Sequence, residues 1–164
     1  MRHDDGIPAE RVIEVERVIE LDGPIDEVWA LVCRADLWLA DEGALGLGDG
    51  PDAIGRLVEG SIARTTRLDQ LDVGRRIAFR WWDERGDEGD ASRVEITLVP
   101  TDGPTHLVVR ETLPARAVRP ARTGTTSASS NARNRTLLGS AANWEIRLMC
   151  LASQVAFRSA LVLV

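Results

Sequence analysis

The chain has 164 residues, is 44% hydrophobic and 28% charged, and carries a formal net charge of −6; that size and composition fit one globular domain able to fold without disulfides or metal. The acidic balance argues against nonspecific attraction to nucleic acid or anionic lipid. All 20 Lys+Arg positions are arginine and Tyr is absent, which excludes Schiff-base lysines, pyridoxal-phosphate anchors, P-loop lysines and tyrosine acid/base chemistry.

Residues 1–8 read as a disordered tail, polar and without the apolar core of a secretory leader; residues 9–164 read as the single domain. Val12–Leu21 alternates, with Ile13, Val15, Ile19 and Leu21 on one face and Glu14, Glu16 and Glu20 on the other, the pattern of a half-buried strand. Arg17 falls on the apolar face. Asp22-Gly23-Pro24 stops this strand, and Pro24, Asp26 and Glu27 suit a helix N-terminus. Ile25, Val28, Trp29 and Val32 give that helix an apolar stripe. A second short helix is expected around Ala35–Asp41, and Gly43–Gly55 is rich in Gly and Asp and reads as a loop.

Short strands follow at Arg56–Glu59, Ser61–Leu71, Arg75–Asp83, Ser92–Pro100 and Thr105–Leu113. Asp72–Gly74 and Asp102-Gly103-Pro104 are turn chemistry. Their spacing predicts an antiparallel meander rather than a parallel sheet. Residues 114–135 carry five arginines and no acid, and read as a mobile loop. A long helix is expected over about Leu137–Val162. Trp144, Leu148, Leu151, Val155 and Val162 fall in one arc at 100° per residue, and Ile146, Met149, Phe157 and Leu161 broaden the apolar surface, so the helix should be covered on most sides. Its charges, Glu145, Arg147 and Arg158, argue against a membrane span. Cys33 and Cys150 sit in apolar helical runs and read as buried free thiols. A cytoplasmic location follows.

The run Val15-Glu16-Arg17 leading into Asp22-Gly23-Pro24-Ile25-Asp26-Glu27-Val28-Trp29 resembles the START-like (SRPBCC) superfamily. Within it, the chain is most similar to the family named for the heat-shock-protein ATPase activator homologue, related to polyketide cyclases. Trp38, the segment Gly55–Gly60, the stretch Ile77-Ala78-Phe79-Arg80-Trp81, and Gly139 to Trp144 with Leu148 and Leu151 extend the likeness over about residues 12–162. The resemblance implies an α+β helix-grip fold: a curved antiparallel sheet wrapped around the C-terminal helix, with two short helices after the first strand. It also implies an interior able to take a small apolar or amphipathic ligand.

If the sheet curves in this way, Arg17 and Glu111 both face inward and are expected to pair, because isolated buried charges are costly. Arg64 and Thr66 could share that face. The candidate ligand-binding residues are Arg17, Trp29, Trp38, Phe79, Trp81, Val109, Glu111, Trp144 and Leu148. Trp82 alternates outward and could pack under a loop or mark a partner surface. No metal-ligand spacing, nucleophile elbow or dinucleotide fingerprint is present, so no metal or cofactor is expected. His3 and His106 are isolated, and His106 lies on the outward face. Three functions compete: a small-molecule binding module, placed first; a cyclase or hydrolase-type enzyme with Glu111 as acid/base oriented by Arg17; and a protein-interaction or homodimeric module.

Overall fold

Period-two alternation in the strands and a 3.6-residue stripe in the last helix create two apolar surfaces that must bury each other. A computed structural model describes residues 13–50, 52–114 and 130–161, with side chains over the same ranges except 130–142 and 159–161. The seven strands are β1 (Ile13–Leu21), β2 (Glu42–Ala44), β3 (Ile54–Glu59), β4 (Ile62–Asp72), β5 (Arg76–Asp83), β6 (Ser92–Pro100) and β7 (Thr105–Leu113). Helix α1 (Ile25–Val32) follows β1, and α2 (Ser130–Leu161) closes the chain. A single 3-10 turn at Ala35–Leu37 takes the place of the expected second short helix.

The strands form one antiparallel sheet in the order β1-β7-β6-β5-β4-β3-β2. It is the predicted helix-grip arrangement, with one strand, β2, inside the segment read as a loop. Along β7, Thr105, Leu107, Val109, Glu111 and Leu113 are buried. The same face of β6 contributes Val94, Ile96 and Leu98, and β5 contributes Ile77, Phe79 and Trp81. Against them lie Val28, Leu31 and Val32 of α1 and Trp144, Leu148, Leu151 and Val155 of α2. The register shift between Leu68 and Gln70 bends β4, as an extra residue in one strand does.

On the opposite face Arg67, Arg80 and Arg93 stand directly across from one another on β4, β5 and β6. Like charges so placed repel. Asp69 and Glu88 offset this: Arg80 Nε lies 2.9 Å from Asp69 Oδ1, and Arg67 Nη1 lies 3.0 Å from Glu88 Oε1.

Three expectations change. Helix α2 begins at Ser130, so 130–135, the end of the segment read as a loop at 114–135, is helical; 115–129 and the tail 1–8 lie outside the described residues. The back of α2 is not covered, since Ile146, Met149 and Phe157 are 62%, 69% and 65% exposed. Both cysteines are free, but Cys33 is only half-buried and Cys150 is exposed, because Cys150 shares that uncovered side. Trp82 is half-buried.

Gly55 permits a close backbone approach at this end of the sheet. A Cβ there would lie 2.3 Å from the Ala44 carbonyl oxygen and 2.5 Å from Thr66 Oγ1. Gly55→Ala should therefore lower the unfolding free energy by about 1–3 kcal/mol in urea titrations. Gly48→Ala, where nothing lies within 4 Å, should change it by less than about 0.5 kcal/mol.

Candidate functional site

Three indoles meet where α2 crosses the sheet. Trp81 projects from β5, Trp144 from α2, and Trp38 from the turn after α1. Trp81 and Trp144 stack with centroids 5.8 Å apart, and Trp38 lies tilted 6.4 Å from Trp144. Phe79 meets Trp81 edge-on at 5.8 Å. Trp38 donates its N–H to the Val32 carbonyl oxygen at 3.3 Å.

Glu111 is 2% exposed. Trp81 Nε1 donates to its Oε1 at 3.0 Å, and Trp144 Nε1 donates to its Oε2 at 2.7 Å. The expected Arg17–Glu111 pair is not formed. Register sets Arg17 opposite Val109 and Glu111 opposite Val15, and the indoles take the carboxylate. Arg17 does turn toward the helix. Its Nη1 donates to the Glu16 carbonyl oxygen at 2.8 Å, and its Nε lies 3.8 Å from Glu145 Oε1, with over a third of the side chain exposed.

A second charged group was missed by sequence reasoning. Arg147 is 5% exposed. Its Nη2 meets Glu59 Oε2 at 2.5 Å, joining α2 to the end of β3. Its guanidinium carbon lies 5.1 Å from the Trp81 ring centre and 5.2 Å from that of Trp144. On the other strand edge, Arg64 stacks over Trp81 at 4.5 Å. Burial pushes Arg147 below the ordinary arginine value and nearby Arg64 adds to this, while Glu59 works against it; the group is cationic at neutral pH. The signals were weak: Arg147 lies at the flank of the apolar arc of α2, about 60° from Trp144 at 100° per residue, and Glu59 alternates in phase with Leu57.

Glu59, Arg64, Trp81 and Arg147, with Leu39, Ala40 and Leu57, line a notch too narrow for a water molecule among the described residues. An interior space of several hundred cubic ångströms, which a drug-sized ligand would need, is not open there. Of the residues named from the sequence, only Trp81 lines the notch. Trp38, Phe79, Trp144 and Glu111 stand behind it, while Val109 and Leu148 belong to the core and Trp29 packs half-buried against it. Two polar atoms facing this region, Arg64 Nε and Arg147 Nε, are buried with no hydrogen-bond partner among the described residues. No group of His, Cys, Asp and Glu among the described residues could hold a metal ion, and no described helix is long and apolar enough to cross a membrane.

No protein-family model and no curated protein matches the sequence. Solved structures do. An aromatase/cyclase, ZhuI from Streptomyces sp. R1128, is 19% identical with a TM-score of 0.67, over 91% of this chain and 96% of that one. DynU16, from the dynemicin biosynthetic locus, is 20% identical with a TM-score of 0.66 over 87% of this chain, which spans about half (47%) of its length. The Aha1 dimer from Colwellia psychrerythraea is 11% identical with a TM-score of 0.61, over 87% and 96% of the two chains. The chain therefore has the helix-grip fold of these structures. At these identities the likeness defines architecture, and function must be argued from the site.

The Glu111 clamp makes a direct prediction. Glu111→Gln offers one acceptor where the carboxylate offered two and turns an NH₂ toward the other indole. It should lose about 1.5–3 kcal/mol of stability. Trp144→Phe should cost less in that background than in the native protein, as a double-mutant cycle by urea denaturation would register. Strictly additive losses would mean the clamp carries no energy.

Proposed function

We propose that the protein binds a small apolar or amphipathic molecule between the sheet and α2, with Trp81, Leu39 and Leu57, backed by Trp38 and Trp144, as its apolar wall and Arg64 and Arg147 as its polar pole. The observation that carries this reading is a buried guanidinium, Arg147, and a half-buried one, Arg64, stacked on indole faces beside a notch at the helix–sheet junction, each with an Nε–H unmatched among the described residues. Cations over aromatic rings are common in folded proteins, and Arg67 and Arg76 also have a buried Nε without a partner among the described residues, so it is the meeting of both features beside the notch that supports the reading. A cytoplasmic location, in keeping with free thiols at Cys33 and Cys150, belongs to the same reading.

A cyclase-type enzyme, the activity that the ZhuI structure's description carries, is the alternative within this architecture. It is less well supported, because its candidate acid/base Glu111 has each oxygen engaged by an indole N–H and does not line the notch. Native mass spectrometry of protein purified from its own host tests the binding reading. A co-purifying small molecule that is released on Trp81→Ala, in a variant that still folds, is the expected result. A bare chain mass, with no thermal shift across a panel of apolar and amphipathic small molecules, would remove it.

One observation favours a further reading as an interaction module: the uncovered apolar face of α2. Sedimentation at rising concentration should then show association that Met149→Glu abolishes. A monomer at every concentration would exclude self-association through this face.

A further inference from the structure

We infer that Glu59 is a built-in occupant of an anion site, its carboxylate standing where an acidic group of the ligand binds. The inference rests on the ligand reading above and specifies the ligand's class: an organic acid with an apolar body.

The two guanidiniums are unequally placed relative to the carboxylate they share. Arg147 is held in the interior, with its side chain 6% exposed, whereas the side chain of Glu59 is 34% exposed. Water can therefore receive the Glu59 carboxylate if it rotates away, while Arg147 has no such exit. The backbone beneath Glu59 need not move. Glu59 is the last residue of β3, and the next amide, Gly60 N–H, is fixed by a 2.7 Å hydrogen bond to Asp41 Oδ2. Exchange of one carboxylate for another thus begins with a side-chain rotation at Glu59, and the notch must widen with it, because Leu39, Leu57 and Trp81 are at most 2% exposed.

The receiving side is already assembled. Arg64 makes no ion pair among the described residues. Asp83, its cross-strand neighbour, instead accepts the Arg85 backbone N–H at 2.8 Å. Arg64 Nε and Arg147 Nε are buried and unmatched among the described residues, and the two cations, both near the Trp81 ring, repel one another. A planar oxyanion brought between them satisfies donors in a fork geometry that one Glu59 oxygen on Nη2 leaves unfilled. The apolar body of the same molecule would cover Trp81, Leu39 and Leu57, which line the notch. Glu59 then acts as a competitor in cis, and an acid must displace it.

Paired dyes test this: anilinonaphthalene sulfonate, which is anionic, and N-phenylnaphthylamine, its neutral counterpart. Fluorescence titrations should show the anionic dye binding about tenfold more tightly to Glu59→Gln than to the native protein, as removal of an internal competitor requires. The neutral dye should bind both alike. Arg64→Met, which leaves the Glu59–Arg147 pair in place, should lose the preference for the anion and retain the neutral dye. Thermal melts confirm that each variant is folded. Neutral-dye binding with no gain for the anion in Glu59→Gln overturns the competitor and leaves the ligand reading standing. Failure of both dyes on every variant overturns both. Loss of anionic dye on Met149→Gln places the dye on the exposed helix face and likewise overturns the inference.

Discussion

The buried carboxylate of Glu111 constrains the rest of the molecule. Taking an ionised group out of water is expensive, and the cost is met only where charge-assisted hydrogen bonds replace hydration. Two indole N–H groups supply them, one from β5 and one from α2. Because an indole has a single donor in a fixed direction, each bond sets the rotation of its ring. The pair therefore fixes how α2 is rotated over the sheet. Once Trp144 is fixed, Leu148, Leu151 and Val155 fall onto the strands and Arg147 is carried inward beside Trp81. The uncovered back of α2 follows from the same rotation. With the arc centred on Trp144 turned to the sheet, Ile146, Met149 and Phe157 must point away.

Arg147 then needs a counter-charge, and β3 provides one. Glu59 occupies the inward phase of its strand, in step with Leu57, so its side chain is delivered to the junction by ordinary pleating. A buried ion pair of this kind is weak evidence for stability, since its desolvation cost rivals its attraction. Its position at a notch, rather than in the closed core, is what gives it interest. Stacked indoles, two cations and one partly wetted carboxylate form a polar pole at the end of an apolar wall. ZhuI, DynU16 and the Aha1 dimer share this backbone at 11–20% identity, so the charges grafted on the architecture, not the architecture, decide what each protein does.

The fold was legible in the sequence because its main signals are periodic and long. The β1 alternation, the Asp22-Gly23-Pro24 break and the meander with its Gly-containing turns each recur over enough residues to outweigh local noise. Short β2 was missed because three residues with Gly at the centre carry no period. The start of α2 was set too late because Ser130–Arg135 is polar and offers no apolar stripe. At the site, Arg17 and Glu111 were read correctly as lying on the inward face of their strands, but their partners depend on register and on side chains two strands away. Only packing decides that Glu111 goes to two tryptophans and Arg17 to Glu145. Arg147 lies at the flank of the apolar arc of α2, and the sequence reading used it only as a charge that argues against a membrane span.

Among the described residues the sheet has two outer strands, β1 and β2, each paired on one side. Such rims are templates on which another chain can add. Here β2 is three residues long, and Gly43 at its centre has φ +109°, so it offers little straight backbone to copy. On the other rim, β1 sets Glu14, Glu16 and Glu20 at alternate positions, and Asp41 and Glu42 crowd the β2 end with the same sign. Two molecules meeting rim to rim would bring carboxylates together, with Arg110 beside Glu14 and Glu16 relieving only part of the repulsion. The seven-stranded layer is thereby guarded against growing into a fibril at either margin.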